Sequence, residues 1–134
     1  MAGAGFPAVT TASQDRFWDG CIGETAVETH YSGRQVRCYV ERPADLAAMF
    51  RDLVTQHPER DAVVAGDTRL SFAELDAQVG RIAGGLAALG VGSGDRVALL
   101  LDNGWAFVAS LLACNRIGAS CVPLGIRQRR AELE

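Results

Sequence analysis

The sequence contains no lysine, since all 13 of its basic residues are arginine. Chemistry that needs a primary amine is therefore excluded from these 134 residues, including Schiff-base formation and the lysine of a phosphate-binding loop. The 13 basic residues are outnumbered by 16 acidic ones, which gives a net charge of −3. A chain with this balance lacks the positive field that holds a nucleic-acid backbone, so we expect no nucleic-acid partner.

Long apolar runs and paired cysteine motifs are also absent. No uninterrupted apolar run reaches the roughly 18 residues of a membrane span, and the N-terminus lacks the pattern of a secretory signal, so we expect a cytoplasmic protein without a span. No two of the four cysteines have C-x-x-C spacing, and both histidines are distant from them in sequence, so a zinc site has weak support. We instead expect reduced thiols, with Cys114 and Cys121 buried in apolar segments.

The chain has enough apolar residues for one ordinary domain, at 49% of 134 residues. Residues 1–15 are small and polar and predict a flexible tail. Residues 16–43 form a variable N-terminal region, in which Phe17 and Trp18 are interpreted as a local hydrophobic anchor rather than a partner contact. Within it, residues 26–40 alternate as two β-strands around the turn formers Ser32 and Gly33, which predicts a hairpin.

Two amphipathic helices are predicted next. After Pro43, a helix over 44–56 presents an apolar stripe that includes Met49 and Phe50. A short hairpin turns at Gly66, and Ser71 with Glu74 then forms a capping box for a second helix, whose apolar stripe runs to Leu89. This second helix contains Gly80, Gly84 and Gly85, which lower its stability. We therefore expect another helix or strand to pack closely against these glycines.

Residues 91–124 are predicted to form a strand, a helix and a strand, which is one right-handed βαβ unit. The apolar run Val97–Leu101 predicts a parallel strand covered on both faces, followed by a helix from Trp105 to about Arg116 and a strand over Ser120–Leu124. Gly92 and Gly94 precede the first strand, whereas a dinucleotide-binding loop follows one, so they predict a turn. Beyond this unit lies a cluster of arginines, which we interpret as a solvated linker rather than an anion site: Arg127, Arg129 and Arg130. Residues 131–134 are predicted to begin another helix.

Three motifs in this order resemble one known family. They are LSFAEL at Leu70–Leu75, GVGSGDRVA at Gly90–Ala98, and GASCVPL at Gly118–Leu124. Together they make residues 44–134 similar to the start of the N-terminal domain of the adenylate-forming, or AMP-binding, ligases. The resemblance implies an α/β fold that is the N-terminal portion of a larger domain, with one βαβ unit plus short hairpins, truncated here.

The resemblance also implies an activity for the full-length family member. Such an enzyme joins a carboxylate to ATP with Mg²⁺, giving an acyl adenylate, and a thiol such as coenzyme A then displaces AMP. The family's phosphate loop, its ribose-binding acid and its lysine lie later in its chain than these motifs. We therefore expect no catalytic, cofactor-binding or metal-binding residue in this segment, and the remainder of the ligase chain as its partner.

Alternatives remain within and beside the family. The end of the sequence is more typical of acyl-CoA synthetases than of peptide-synthetase adenylation domains, because Val122–Leu124 is followed by Arg127 and the pair Glu132–Leu133. Gly125 departs from that pattern. The competing class is a stand-alone, non-catalytic α/β binding or interaction module derived from the family. An independent nucleotide-binding βαβ protein is disfavoured because no glycine-rich loop follows a strand.

Overall fold

The computed structural model describes residues 23–30 and 32–127. The chain divides into two compact units, Met1–Arg42 and Pro43–Glu134. The predicted tail over 1–15, the Phe17–Trp18 anchor and the helix start at 131–134 lie outside the described residues.

The first unit contains an antiparallel hairpin. Strand β1 spans Thr25–His30 and strand β2 spans Arg34–Tyr39. Ser32 and Gly33 turn the chain with positive φ angles of 64° and 97°, a conformation that glycine adopts at no steric cost. Burial in β2 alternates with period two, since Val36 and Cys38 are half-buried between exposed neighbours. The predicted hairpin over 26–40 is confirmed.

The second unit is the mixed α/β part that the spacing of apolar and turn-forming residues in the sequence predicts. In chain order its elements are α1 (Leu46–Gln56), β3 (Asp61–Ala65), β4 (Thr68–Ser71), α2 (Phe72–Ala88), β5 (Arg96–Leu99), α3 (Trp105–Arg116) and β6 (Ser120–Pro123). Strands β3 and β4 pair antiparallel around the turn at Gly66, and β5 and β6 pair parallel. One βαβ unit and two short hairpins are therefore present, as expected.

Local capping explains where two of the helices begin. Asp45 accepts a hydrogen bond from the Ala48 N–H at 2.7 Å through Oδ1, which satisfies one of the free donors at the start of α1. At α2 the Ser71 Oγ accepts from the Glu74 N–H at 3.2 Å, and the Glu74 Oε2 accepts from the Ser71 N–H at 2.8 Å. The capping box that the S-x-x-E spacing predicts is thus complete.

Helix α3 lies at the centre of the packing. It contacts helices α1 and α2 and strands β3, β5 and β6. Its sequence is apolar around most of its circumference, as expected of a helix with neighbours on several sides. The buried cluster that it completes draws one residue from α1, three from α2 and three from α3 itself: Phe50, Leu75, Val79, Ala83, Ala109, Leu112 and Ala113.

Two residues that the helical periodicity assigned to the core lie at the surface. Met49 is 41% exposed, because it lies about 100° around α1 from the buried Phe50 and falls at the edge of the stripe. Leu89 is 82% exposed, because α2 ends at Ala88 and Leu89 is its C-cap residue. The expected close approach to the helical glycines holds only at Gly80, since a Cβ at Gly84 or Gly85 would meet no atom within 4 Å.

Strand β5 is shorter than the apolar run predicts and is covered on one face. It ends at Leu99 instead of Leu101, and although Leu99 is buried, Ala98 and Leu100 are exposed. The prediction of cover on both faces is wrong within the described residues, because they give this sheet two strands and α3 packs on one side of it. The open face carries Ala98 beside Val122, its register partner on β6.

Candidate functional site

An open depression lies at the carboxyl ends of β5 and β6. Parallel strands bring these ends together, which is where open α/β sheets bind ligands. The Leu124 N–H donates to the Leu99 carbonyl oxygen at 2.9 Å, so the chain leaving β6 stays beside the chain leaving β5. The depression has a volume of about 650 Å³ and is lined by two loops and the first turn of α3: Leu101, Asp102, Asn103, Phe107, Pro123, Leu124, Gly125 and Ile126.

The chemistry of this lining is mostly apolar. Leu101, Phe107, Leu124 and Ile126 offer hydrocarbon surface, whereas Asp102 brings a carboxylate that repels an anion. None of the eight lining side chains is a thiol, hydroxyl or imidazole, so the depression holds no nucleophile paired with a base. The arrangement can receive an apolar group, and it is poorly suited to a phosphate.

The glycine-rich turn before β5 uses its backbone N–H groups in hydrogen bonds within the protein. The Gly92 N–H donates to Asp95 Oδ2 at 2.8 Å, and the Gly94 N–H donates to the Gly118 carbonyl oxygen at 3.0 Å. A phosphate cradle needs such backbone donors directed at the ligand. The prediction of a turn here is confirmed, and both amide donors are directed at acceptors within the protein.

A second group of polar side chains lies on the hairpin of the first unit. Glu28 and His30 share one face of β1, with 2.8 Å between Glu28 Oε2 and His30 Nε2. Cys38 on β2 places its Sγ 3.9 Å from the same nitrogen. One ligand atom from each of the three residues lies within 4.8 Å of the others.

Arg42 holds the carboxylate of this group. Its Nη1 donates to Glu28 Oε1 at 2.8 Å, and its Nη2 donates to Glu28 Oε2 at 2.7 Å. The hydrogen bond from Arg42, followed by that from His30, lowers the pKa of Glu28 to about 2 from its ordinary value of 4.5. Glu28 is therefore ionised at neutral pH.

The sequence analysis gives weak support to a zinc site and predicts no role for this group. The signal that could have found it is the hairpin register, which pairs Glu28 with Val36. Residues two apart on a strand share a face, so His30 belongs with Glu28 and Cys38 belongs with Val36. The linear separation of His30 and Cys38 concealed this shared face.

The remaining sequence candidates lie apart from both groups. Cys114 is buried and Cys121 half-buried, both are free thiols, and burial raises the pKa of each. The expected burial is confirmed for Cys114 and is wrong for Cys121, which is only half-buried, and the reduced state of both thiols stays a prediction. Arg127 is exposed, and Arg129 and Arg130 lie outside the described residues. Among the described helices, none is long and apolar enough to cross a membrane.

The three motifs that carry the resemblance lie where elements of the fold join. Leu70–Leu75 joins β4 to α2, Gly90–Ala98 holds the turn into β5, and Gly118–Leu124 leads from α3 through β6. The family model for AMP-binding enzymes matches residues 50–134, more than half of the chain. The chain belongs to the AMP-binding enzyme family.

Relatives in the AMP-binding family include both acyl-CoA ligases and peptide synthetases. Feruloyl-CoA synthase of Amycolatopsis sp is 47% identical over 77 residues, which cover 58% of this chain and 16% of that protein. A linear gramicidin synthase of Brevibacillus parabrevis is 38% identical over 76 residues, covering 57% of this chain and 1% of that protein. The chain thus spans about a sixth of the length of the feruloyl-CoA synthase.

Solved structures of the family share the fold. The fatty acyl CoA synthetase of Mycobacterium tuberculosis superposes with a TM-score of 0.62 at 35% identity, over 65% of this chain and 18% of that one. The matched part is the N-terminal portion of these ligases. The predicted family and fold class are confirmed.

Proposed function

We propose that this chain is the N-terminal scaffold segment of an ATP-dependent acyl-CoA ligase. The observation that carries the proposal is the family match over residues 50–134 together with 47% identity to a feruloyl-CoA synthase. The whole enzyme would activate a carboxylate with ATP and Mg²⁺ and then transfer the acyl group from AMP to coenzyme A. Bound Mg²⁺ would supply charge neutralisation at the phosphates.

Two comparisons support the acyl-CoA ligases over the peptide synthetases. The identity to feruloyl-CoA synthase, 47% over 77 residues, exceeds the 38% over 76 residues to the gramicidin synthase. A fatty acyl CoA synthetase also has this fold at 35% identity. We therefore place coenzyme A, rather than a carrier-protein thiol, in the second step of the proposed reaction.

The segment itself would contribute structure and no catalytic group. It contains no lysine, and the amide donors of Gly92 and Gly94 are already bonded within the protein. The carboxylate of Asp102 lies in the depression where an anionic ligand would enter. Binding of ATP, Mg²⁺ and coenzyme A would therefore depend on other parts of the enzyme, which the β5–β6 unit would help to position.

The proposed partner is the remainder of the ligase chain, and the open side of the β5–β6 sheet supports it. Val122 on β6 and Leu100 just after β5 are exposed beside the sheet, and Leu101 and Ile126 are exposed in the depression at the carboxyl ends of its strands. Free thiols at Cys38, Cys114 and Cys121 agree with a reducing compartment, so we propose a cytoplasmic enzyme.

The second candidate is a stand-alone interaction module without catalysis. The buried cluster around α3, which the second unit completes from its own helices, favours it. Such a module would use the same open sheet face for a separate protein.

Reading the coding sequence past Glu134 separates the two candidates. We expect the frame to continue into a Ser/Thr/Gly-rich loop that ends near a lysine. A stop codon directly after Glu134 would overturn the ligase proposal in favour of the module. The scaffold role is tested by carboxylate-dependent exchange of pyrophosphate into ATP, using the 134-residue chain and a panel of aromatic and fatty acids. Exchange above that of heat-denatured protein would show that the segment is itself catalytic.

A further inference from the structure

We propose that Glu28, His30 and Cys38 form a binding site for a divalent transition-metal ion of the zinc class. The three side chains supply one oxygen, one nitrogen and one sulfur, all within 4.8 Å of one another. They come from both strands of the β1–β2 hairpin, and no step of the proposed ligase reaction uses them. The metal-site proposal can therefore be tested independently of the proposed ligase function.

The spacing of the ligand atoms fits a tetrahedral ion. Bond lengths of about 2.3 Å to sulfur and about 2.1 Å to nitrogen or oxygen place neighbouring ligand atoms about 3.4 to 3.6 Å apart. The Glu28 Oε2 to His30 Nε2 distance is 2.8 Å, and the Cys38 Sγ to His30 Nε2 distance is 3.9 Å. The Glu28 oxygen and the Cys38 Sγ lie within 4.8 Å of each other, so shifts of about 1 Å in side-chain positions would bring all three pairs to the required separation.

Arg42 is compatible with this site as a partner of the ligating carboxylate. A carboxylate has about four lone-pair positions, and Arg42 occupies one on each oxygen of Glu28. Hydrogen-bonded carboxylates are common around metal ions, because the outer partner fixes the orientation of the ligand. The positive charge of Arg42 beside the carboxylate limits the affinity for a cation.

The donor set selects among metal ions. Zinc binds thiolate, imidazole and carboxylate together, whereas Mg²⁺ and Ca²⁺ prefer oxygen ligands alone. On binding, the Cys38 thiol loses its proton to solvent and a sulfur–metal bond forms, while His30 binds through Nε2 in the neutral tautomer that carries its proton on Nδ1. Glu28 and His30 are 34% and 39% exposed at their side chains, so the ion can enter from solvent and a water can take the fourth position.

Such an ion would link the two strands of the hairpin through their side chains. A two-stranded hairpin alone is marginally stable in water. Glu28 and His30 lie on β1 and Cys38 on β2, so one ion connects the strands through side chains in addition to their backbone ladder. We therefore infer a structural role for the ion.

The first test uses Co²⁺ as a spectroscopic probe on the reduced, full 134-residue chain. We expect a thiolate-to-cobalt charge-transfer band, displaced by Zn²⁺ and unaffected by excess Mg²⁺. Cys38→Ser should abolish the band, because serine preserves the side-chain size and removes the sulfur. Cys121→Ser, which removes another half-buried thiol, should leave it unchanged. A missing band, or one that persists in Cys38→Ser, would overturn the proposal.

The second test measures protection of the thiol and does not depend on the fold of a cysteine variant. Zn²⁺ should slow alkylation of Cys38 at least about tenfold, read by peptide mass spectrometry, with Cys114 and Cys121 as internal references. His30→Ala and Glu28→Gln should each weaken that protection at least about tenfold in Zn²⁺ concentration. Equal alkylation rates with and without Zn²⁺ would contradict the site, as would protection that survives both substitutions.

Discussion

Ser93 and Gly118 pack directly against each other where the turn before β5 meets the end of α3. A Cβ at Gly118 would lie 3.0 Å from Ser93 Oγ and 3.1 Å from Ser93 Cβ, closer than ordinary van der Waals contact. Gly118 also has a φ of +74°, which L side chains rarely adopt. Its carbonyl oxygen accepts the Gly94 N–H, so this contact joins the two segments that lead into β5 and β6.

Gly118→Ala should therefore destabilise the fold through both strain and contact. The left-handed conformation alone costs about 1–2 kcal/mol for a residue with a Cβ, and the contact with Ser93 adds to it. Gly94→Ala is the matched control, since Gly94 has a φ of +87° with open space around it. Denaturant unfolding should show the larger loss for Gly118→Ala, and Ser93→Gly in that background should recover part of it. Equal losses in the two alanine variants would contradict the contact.

Removing the capping hydroxyl at Ser71 should weaken the start of α2. Ser71→Ala loses the bond from the Glu74 N–H and should lower the free energy of unfolding by about 1 kcal/mol. Ser71→Thr keeps a hydroxyl at this position and should lose less. Chemical denaturation of the three proteins measures this, and an alanine variant as stable as the parent would refute the cap.

Alanine at the two open glycines of α2 should stabilise the chain. Gly84 and Gly85 are exposed helical positions where an added Cβ would meet no atom within 4 Å, so each substitution should add about 1 kcal/mol through helix propensity. Gly90→Ala is the opposing control, because Gly90 has a φ of +87° and should lose stability. Thermal unfolding that shows no gain in either Gly84→Ala or Gly85→Ala would indicate that an unseen neighbour covers this face.

The sequence predicted local features well because they depend on neighbouring residues. The Ser71–Glu74 capping box and the turn at Gly66 follow from chemistry within a few residues of the chain. Which side of an element is covered depends on distant packing, so periodicity wrongly assigned Met49 and Leu89 to the core. The same limit applies to the polar group on the hairpin, because only the strand register brings Cys38 to the face of Glu28.

Acid should release the Glu28–Arg42 ion pair. The pKa of Glu28 is lowered from 4.5 to about 2 by its hydrogen bonds to Arg42 and His30, so its contribution to hairpin stability is fully present above pH 4.5. That contribution is lost as the pH falls from 4.5 towards 2, because the carboxyl must take up a proton. Since the pair is exposed, we expect a small change in stability. NMR titration of the Glu28 side-chain carbon measures the midpoint directly.

Two arginine variants control this titration. Arg42→Gln removes the main cause of the shift and should move the Glu28 midpoint up towards its ordinary value of 4.5. Arg69→Gln removes a different exposed ion pair, with Asp61, and should leave the Glu28 midpoint where it was. An Arg42→Gln midpoint equal to that of the parent would contradict the assigned cause.

The isolated chain should self-associate through the open face of its parallel sheet. Parallel sheets are normally covered on both faces and rarely stop at two strands. In the part of the chain that the structure describes, this sheet has two strands, Leu100 beside it is 50% exposed, and Val122 on β6 is 37% exposed. Free strand edges and bare apolar faces invite pairing between chains. Size-exclusion chromatography with light scattering at micromolar concentration should therefore show species larger than the monomer.

A single charge on that face should reverse the association. Val122→Glu places a carboxylate on the exposed side of β6, so association would require its burial or repulsion between copies of the chain. Leu89→Glu makes the same change in charge at the end of α2, away from the sheet, and should associate like the parent. Circular dichroism confirms that both variants keep the parent's fold. If the parent is a monodisperse monomer with a cooperative thermal transition, the sheet face does not drive association, and the chain is a self-sufficient domain. That outcome would favour the interaction module over the ligase segment.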